Sequence, residues 1–216
     1  MGSSSMLDIV GSFIVGGALL VMALRLNAQA SEATALYGGN YILQTNMTAL
    51  IDILEFEFRK IGYCKDWKKV ADPTKSIRVA ELNRIRFLTD IPTSTNPNNV
   101  GFYGDGNVDS ITYWVGPASE LTSTPNPFDK YLYRQVNNGT TEKLNLGLTQ
   151  FQFSYFDAMN DPLPFPITDA RKVYLMQVSV AVQTATPYAQ EFIMDSSAYD
   201  VFWKQIRLVT KNLKNR

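Results

Sequence analysis

The start of the chain constrains it most. From Ile9 to Leu24 there is no charged residue, and the apolar run passes through Arg25 into "LNAQASEATAL" with no turn signal, so a helical pattern outlasts the apolar one. A cleaved secretory signal would end in a small-residue site and a turn, so this segment reads as retained. At about 1.5 Å per helical residue the run spans roughly 24 Å. Adding Met6, Leu7 and Leu26, with Arg25 laying its stem along the interface, brings it close to the ~30 Å hydrocarbon core of a bilayer. Gly11, Ser12, Gly16, Gly17 and Ala18 interrupt the Leu, Ile and Val surface, as small residues do where a second helix packs closely. The stretch therefore suits either lipid or a helical neighbour.

Asp8 stands at the leading edge of this run. A carboxylate at hydrocarbon depth costs about 2–3 kcal/mol, and less near the interface, so it normally has a partner. Judged alone, it also fits an interfacial acid held by a helix N-terminus, worth a few tenths to about 1 kcal/mol. Further on, "YGGN" at Tyr37–Asn40 predicts a bend or local unwinding, because Gly38 and Gly39 each cost about 1 kcal/mol in a helix interior. The helical period resumes in "QTNMTALIDILEFEFRKIGYC", where Met47, Leu50, Ile51, Leu54, Phe58 and Ile61 form one stripe that needs a sheet or helix to cover it. The arm is thus apolar all round over residues 6–26 and amphipathic over 27–62.

Residues 63–216 change period. "SIRVAELNRIRFLTD" ends in a strand with Ile85, Phe87 and Thr89 on one face, and "VDSITYWV" is a second strand. "KYLYRQVNNGTTEKLNL" reads as a hairpin turning at Asn138-Gly139, with positive φ at both central positions. "LTQFQFSYFD" places Phe151, Phe153 and Tyr155 together. "KVYLMQVSVAVQTAT" sets Tyr174, Met176, Val178, Val180 and Val182 opposite Val173, Leu175, Gln177, Ser179 and Ala181, and "FWKQIRLVTKNL" closes as a strand or short helix. Polar intervals at 91–99, 116–129 and 157–169 are loops. The expected architecture is α+β: a long N-terminal helix packed on an antiparallel sheet.

Composition removes several functions. Twenty basic residues balance twenty acidic ones, so no global cationic field draws nucleic acid. The single cysteine, Cys64, cannot form an intrachain disulfide and reads as a buried thiol. There is no histidine, which excludes Ser-His-Asp and Cys-His catalysis and the common zinc sites. The chain does not read as an enzyme, and no cofactor is expected.

In this order the segments resemble a type IV pilin-like protein, and more narrowly the J-type pseudopilins of type II secretion and the W-type minor pilins of type IV pili. "SSMLDIVGSFIVGG" resembles the family's segment after prepilin cleavage, with Met6-Leu7 in the paired aliphatic place and Asp8 standing for its glutamate. "MTALIDILEFEFRKIGY" is similar to the run before the family's arginine, isoleucine and glycine, here Arg59, Ile61 and Gly62. "RIRFLTD", "YGDGNVDSITYWV", "YLYRQVNNGT", "LTQFQFSYFDAMND", "VSVAVQT" and "TKNL" follow in family order.

The resemblance implies that residues 1–5 are what remains of a leader, with a prepilin peptidase cut near Gly2, Ser3 or Ser4. It implies that residues 6–26 are first a transmembrane helix and then a filament-core helix, its surface carried by Ile9, Val10, Phe13, Ile14, Val15, Leu19, Leu20, Val21 and Leu24. It further implies a periplasmic sheet domain, an inner-membrane anchor with a cytoplasmic N-terminus, an assembly platform that extrudes subunits, and other pilins or pseudopilins as partners. Asp8 would then meet the N-terminal amine of a neighbouring subunit. The competing reading is a membrane-anchored ligand-binding or adhesion domain that never polymerises.

Other features have plainer explanations. Asp105, Asn107 and Asp109 alternate like the start of a calcium loop, but without the glycine and distal glutamate of a full one, so a polar turn is expected. Asp52, Glu55 and Glu57, beside Arg59 and Lys60, read as solvated charges; the pair Asp195 and Asp200 carries no chemistry of its own. Tyr103, Tyr113, Trp114, Tyr131, Tyr133, Phe151, Phe153 and Tyr155 read as core and cross-strand packing rather than a carbohydrate or DNA platform. The basic end, with Lys204, Arg207, Lys211, Lys214 and Arg216, reads as a solvated terminus, so no specific nucleic acid is expected.

Overall fold

The computed structural model describes residues 3–92, 104–185, 199–209 and 211–213. A single helix, α1, covers Ser3–Arg59. Its hydrogen-bonded backbone runs through Gly38 and Gly39, so the unwinding expected there does not occur. A Cβ added to either glycine would meet nothing within 4 Å. No side chain forces the turn apart, and the loss of propensity, about 1 kcal/mol each, is smaller than what breaking the helical ladder would cost. The chain forms two compact units, Met1–Ile42 and Leu43–Arg216.

In the second unit the end of α1 lies against a seven-stranded antiparallel sheet: β1 (Ile77–Ala80), β2 (Arg84–Thr89), β3 (Asp109–Val115), β4 (Lys130–Val136), β5 (Thr141–Phe156), β6 (Leu175–Gln183) and β7 (Val201–Val209), in sequence order across the sheet. The α+β architecture, a long N-terminal helix packed on an antiparallel sheet, is therefore the one expected of a pilin-like chain. The amphipathic stripe is buried in full: Met47, Leu50, Ile51, Leu54, Phe58 and Ile61 are each 6% exposed or less. They meet Phe87, Tyr113, Phe151, Phe153 and the Met176–Val182 row. Phe58 is the centre of this contact, edge-on to Phe87 and Tyr113 at ring distances of 5.5 and 5.7 Å, with Phe153 at 5.9 Å. Each such side chain contributes about 1.5–3 kcal/mol by leaving water.

Two local expectations change. The β4–β5 hairpin stands, but the left-handed residue is Asn137 (φ 53°), not Asn138 and Gly139. Its turn closes by the Gly139 N–H donating to the Val136 carbonyl at 3.0 Å. Asn137 tolerates that backbone because its side chain is tied down, accepting from the Ser110 N–H and donating to Asp109. In the sequence, "EKLNL" and "LTQFQFSYFD" read as separate strands, yet they form the single strand β5. Gly147 joins them with φ +70°, and a Cβ there would fall 2.6 Å from the Gln183 carbonyl. The register shifts beside it toward both β4 and β6, so this is a bulge that bends one long strand. The last segment is both things expected of it: strand β7, then a short 3-10 turn at Lys211–Leu213.

Candidate functional site

The helix of the first unit is exposed along its apolar length. Ile9, Val10, Phe13, Ile14, Val15, Leu19, Leu20, Val21 and Leu24 are 50% to 78% exposed. It is long and apolar enough to cross a membrane. Asp8 is exposed and forms no ion pair among the described residues, while its backbone carbonyl accepts from the Ser12 hydroxyl at 2.8 Å. Asp8, Ile9, Ser12, Phe13, Gly16 and Gly17 line one shallow groove along the helix, floored by the two glycines. Of the processing residues, Ser3 and Ser4 begin the helix, and Gly2 lies outside the described residues.

In the second unit Asp105 and Asp109 gather around Asp90, not around Asn107. One carboxylate oxygen of each of the three aspartates lies within 4.8 Å of the others. Asn107 accepts instead from the Lys69 ammonium at 2.8 Å. Asp90 is fully buried and accepts three backbone N–H groups, from Lys65 (2.9 Å), Asp105 (2.8 Å) and Gly106 (3.0 Å), together with the Cys64 thiol at 3.6 Å. Asp105 accepts from the Asn107 N–H, and Asp109 from the Ile91 N–H and the Asn137 amide. Lys60 donates to the Asp90 backbone carbonyl at 2.5 Å. Burial pulls the Lys60 ammonium below its ordinary pKa, opposed by Asp90, Glu57 and Asp109. Burial likewise pushes the Cys64 thiol up. These carboxylates build the turns; nothing in the sequence pattern singled out Asp90, whose donors come from two separate stretches, residues 64–65 and 105–106.

Glu57 is not a solvated charge. Its side chain is 12% exposed and paired with Arg134 of β4 at 2.6 Å, and it accepts from the Tyr113 hydroxyl of β3, also at 2.6 Å. Asp52 is exposed, and Glu55 pairs with Arg59 one helical turn away. The aromatic set divides: Tyr113, Phe151, Phe153 and Tyr155 are core, while Trp114 stacks on Tyr133 on the other face at 5.1 Å. Tyr103 and Asp195 lie outside the described residues, as do Lys214 and Arg216 of the basic end.

Asp129, just before β4, is 1% exposed, and neither of its carboxylate oxygens has a hydrogen-bond partner. Burial raises its pKa; the Thr124 hydroxyl, which donates to the Asn126 carbonyl, opposes this more weakly. Because the folded state holds the proton more tightly than the unfolded chain, this group's penalty is absent below the ordinary value of 3.8 and grows as pH rises through the raised folded value. Asp129→Asn is accordingly expected to stabilise the fold by about 1 kcal/mol at pH 7 and by nothing near pH 3. Urea unfolding at the two pH values checks this; equal effects at both would remove the ionisation argument.

No protein-family model matches the chain, and no curated protein matches it in sequence. Among solved structures it is similar to a type IV-like pilin from Thermus thermophilus, at 10% identity and a TM-score of 0.44, over 79% of this chain and 98% of that one.

Proposed function

We propose that this chain is a filament subunit of the type IV pilin kind, a minor pilin or pseudopilin held in the inner membrane and then incorporated into a pilus or a type II secretion pseudopilus. The observation that carries the reading is the exposed, charge-free helix surface from Ile9 to Leu24, with Asp8 at its leading edge forming no ion pair among the described residues. A surface of that kind is stable in lipid or against other helices, not in water. In lipid the acid stays near the interface. In a filament core it needs a counter-charge, and the free N-terminal amine left by prepilin peptidase cleavage near Gly2–Ser4 on a neighbour supplies one. Pairing neutralises both groups in a low dielectric and sets the axial register, since a misplaced neighbour leaves a buried charge uncompensated.

Asp8→Ala is expected to insert normally into membranes and to disappear from sheared surface filaments. Recovery of the variant in filaments at the level of the unaltered chain overturns the pairing role. Intact mass and N-terminal sequencing of chains from both fractions tests the wider reading: a new N-terminus near Ser3 or Ser4 in the filament fraction supports it. An unprocessed chain confined to membranes replaces it with an anchored binding domain.

A further inference from the structure

Among the described residues, the sheet contains a lane one strand wide with no strand in it. β4 begins at Lys130, opposite Leu148, while β5 continues to Phe156. Beyond Lys130 the far wall of the lane is formed by Val115, Gly116 and Pro117 at the end of β3 and by Asn83 in the β1–β2 turn. The near wall is Thr149–Gln152 of β5, and the opening holds about 620 Å³. The lane is closed at its end where the Phe153 N–H donates to the Leu82 carbonyl at 2.8 Å. Four residues lie between Leu148 and Phe153, roughly 13 Å of strand. Strands on either side of a missing one stand about 9.6 Å apart, the width of one lane.

The main chain of β5 is aimed into this space. In an antiparallel ladder alternate residues turn both backbone groups to the same side. The Phe153 N–H goes to Leu82 and the Tyr155 carbonyl accepts from the Leu163 N–H, both on the side away from β6. Phe151, paired with Val180 in the same ladder, therefore turns its N–H and C=O the same way, at a position where β4 has already ended. Around it are the amides of Asn83, Gln150 and Gln152. Lys130 is half-buried and, among the described residues, forms no salt bridge and is the one charged side chain on the wall.

We propose that this lane receives an extended peptide segment of about four residues from another protein, paired main chain to main chain with β5 at Phe151 and presenting an acidic side chain to Lys130. A vacant strand position with backbone groups aimed into it selects a strand, and Lys130, the one charged side chain among the described residues that line it, selects its charge. A carbohydrate would use the amide side chains but has no row of alternating donors and acceptors to match Phe151.

The test is an NMR titration of the full chain in detergent micelles, labelled with 15N at Phe and Lys, using the peptide Ac-Thr-Val-Asp-Val-Thr-NH2. The expected result is a saturable shift of the Phe151 and Lys130 signals, no shift with the same peptide N-methylated along its backbone, and affinity about fivefold weaker for Lys130→Gln. Absence of a shift at several times ~1 mM peptide overturns the proposal. So do equal shifts with the N-methylated peptide, or shifts produced by maltohexaose and not by the peptide.

Discussion

Glu57→Ala is expected to destabilise the Leu43–Arg216 unit by about 2–3 kcal/mol, because it leaves the Arg134 guanidinium between helix and sheet with only the exposed Glu142, 3.1 Å from its other prong, as counter-charge. The two side chains are 12% and 18% exposed, and the contact is two-pronged, with Arg134 Nη2 at 2.6 Å and Nε at 3.1 Å from one Glu57 oxygen. Burial works against the guanidinium's charge, yet Glu57 outweighs it and the Arg134 pKa is raised. Burial and the Glu57 carboxylate together raise the Tyr113 hydroxyl. Tyr113→Phe removes only one hydrogen bond and keeps the ring against Phe58, so its expected loss is about 1 kcal/mol. Urea unfolding of the two variants separates a charge effect from a packing effect. Losses of similar size for Glu57→Ala and Tyr113→Phe would show that the ion pair adds nothing beyond the neutral hydrogen bond.

Asp90→Ala is expected to cost about 3–5 kcal/mol, since it orphans three backbone N–H groups at once, each in a charge-assisted bond worth about 1.5–3 kcal/mol but sharing one acceptor. Gly104→Ala tests the same turn from the other side. Gly104 has φ +68°, and a Cβ there would lie 2.0 Å from an Asp90 carboxylate oxygen, so the single variant is expected to lose about 2–3 kcal/mol. With the carboxylate removed the added methyl has room, so the double variant should lose less than the sum. Simple additivity in thermal or urea unfolding would show that Gly104 matters only for its backbone angle.

Much of the fold was legible in the order of residues. The apolar run of the first helix, the stripe from Met47 to Ile61 and the alternation in β6 are periodic patterns within single elements, and burial follows period wherever one face meets a core. The exposed helix surface and Asp8 were legible for the same reason: a charge-free run beside one acid needs no tertiary context to be seen. Glu57, Asp90, Asp129 and the lane beside Phe151 were not. Glu57 has the local surroundings of a solvated helical acid, and only the docking of α1 on β3 and β4 brings Tyr113 and Arg134 to it. Asp90 draws its donors from residues 65, 105 and 106, and Asp129 is cut off from water only by the folding of the whole unit. Period and propensity belong to one segment at a time, so the sequence by itself determined which segments are helix and strand and which faces turn inward. Pairwise electrostatics and strand ends depend on distances between segments remote in sequence, and those only the tertiary structure decided.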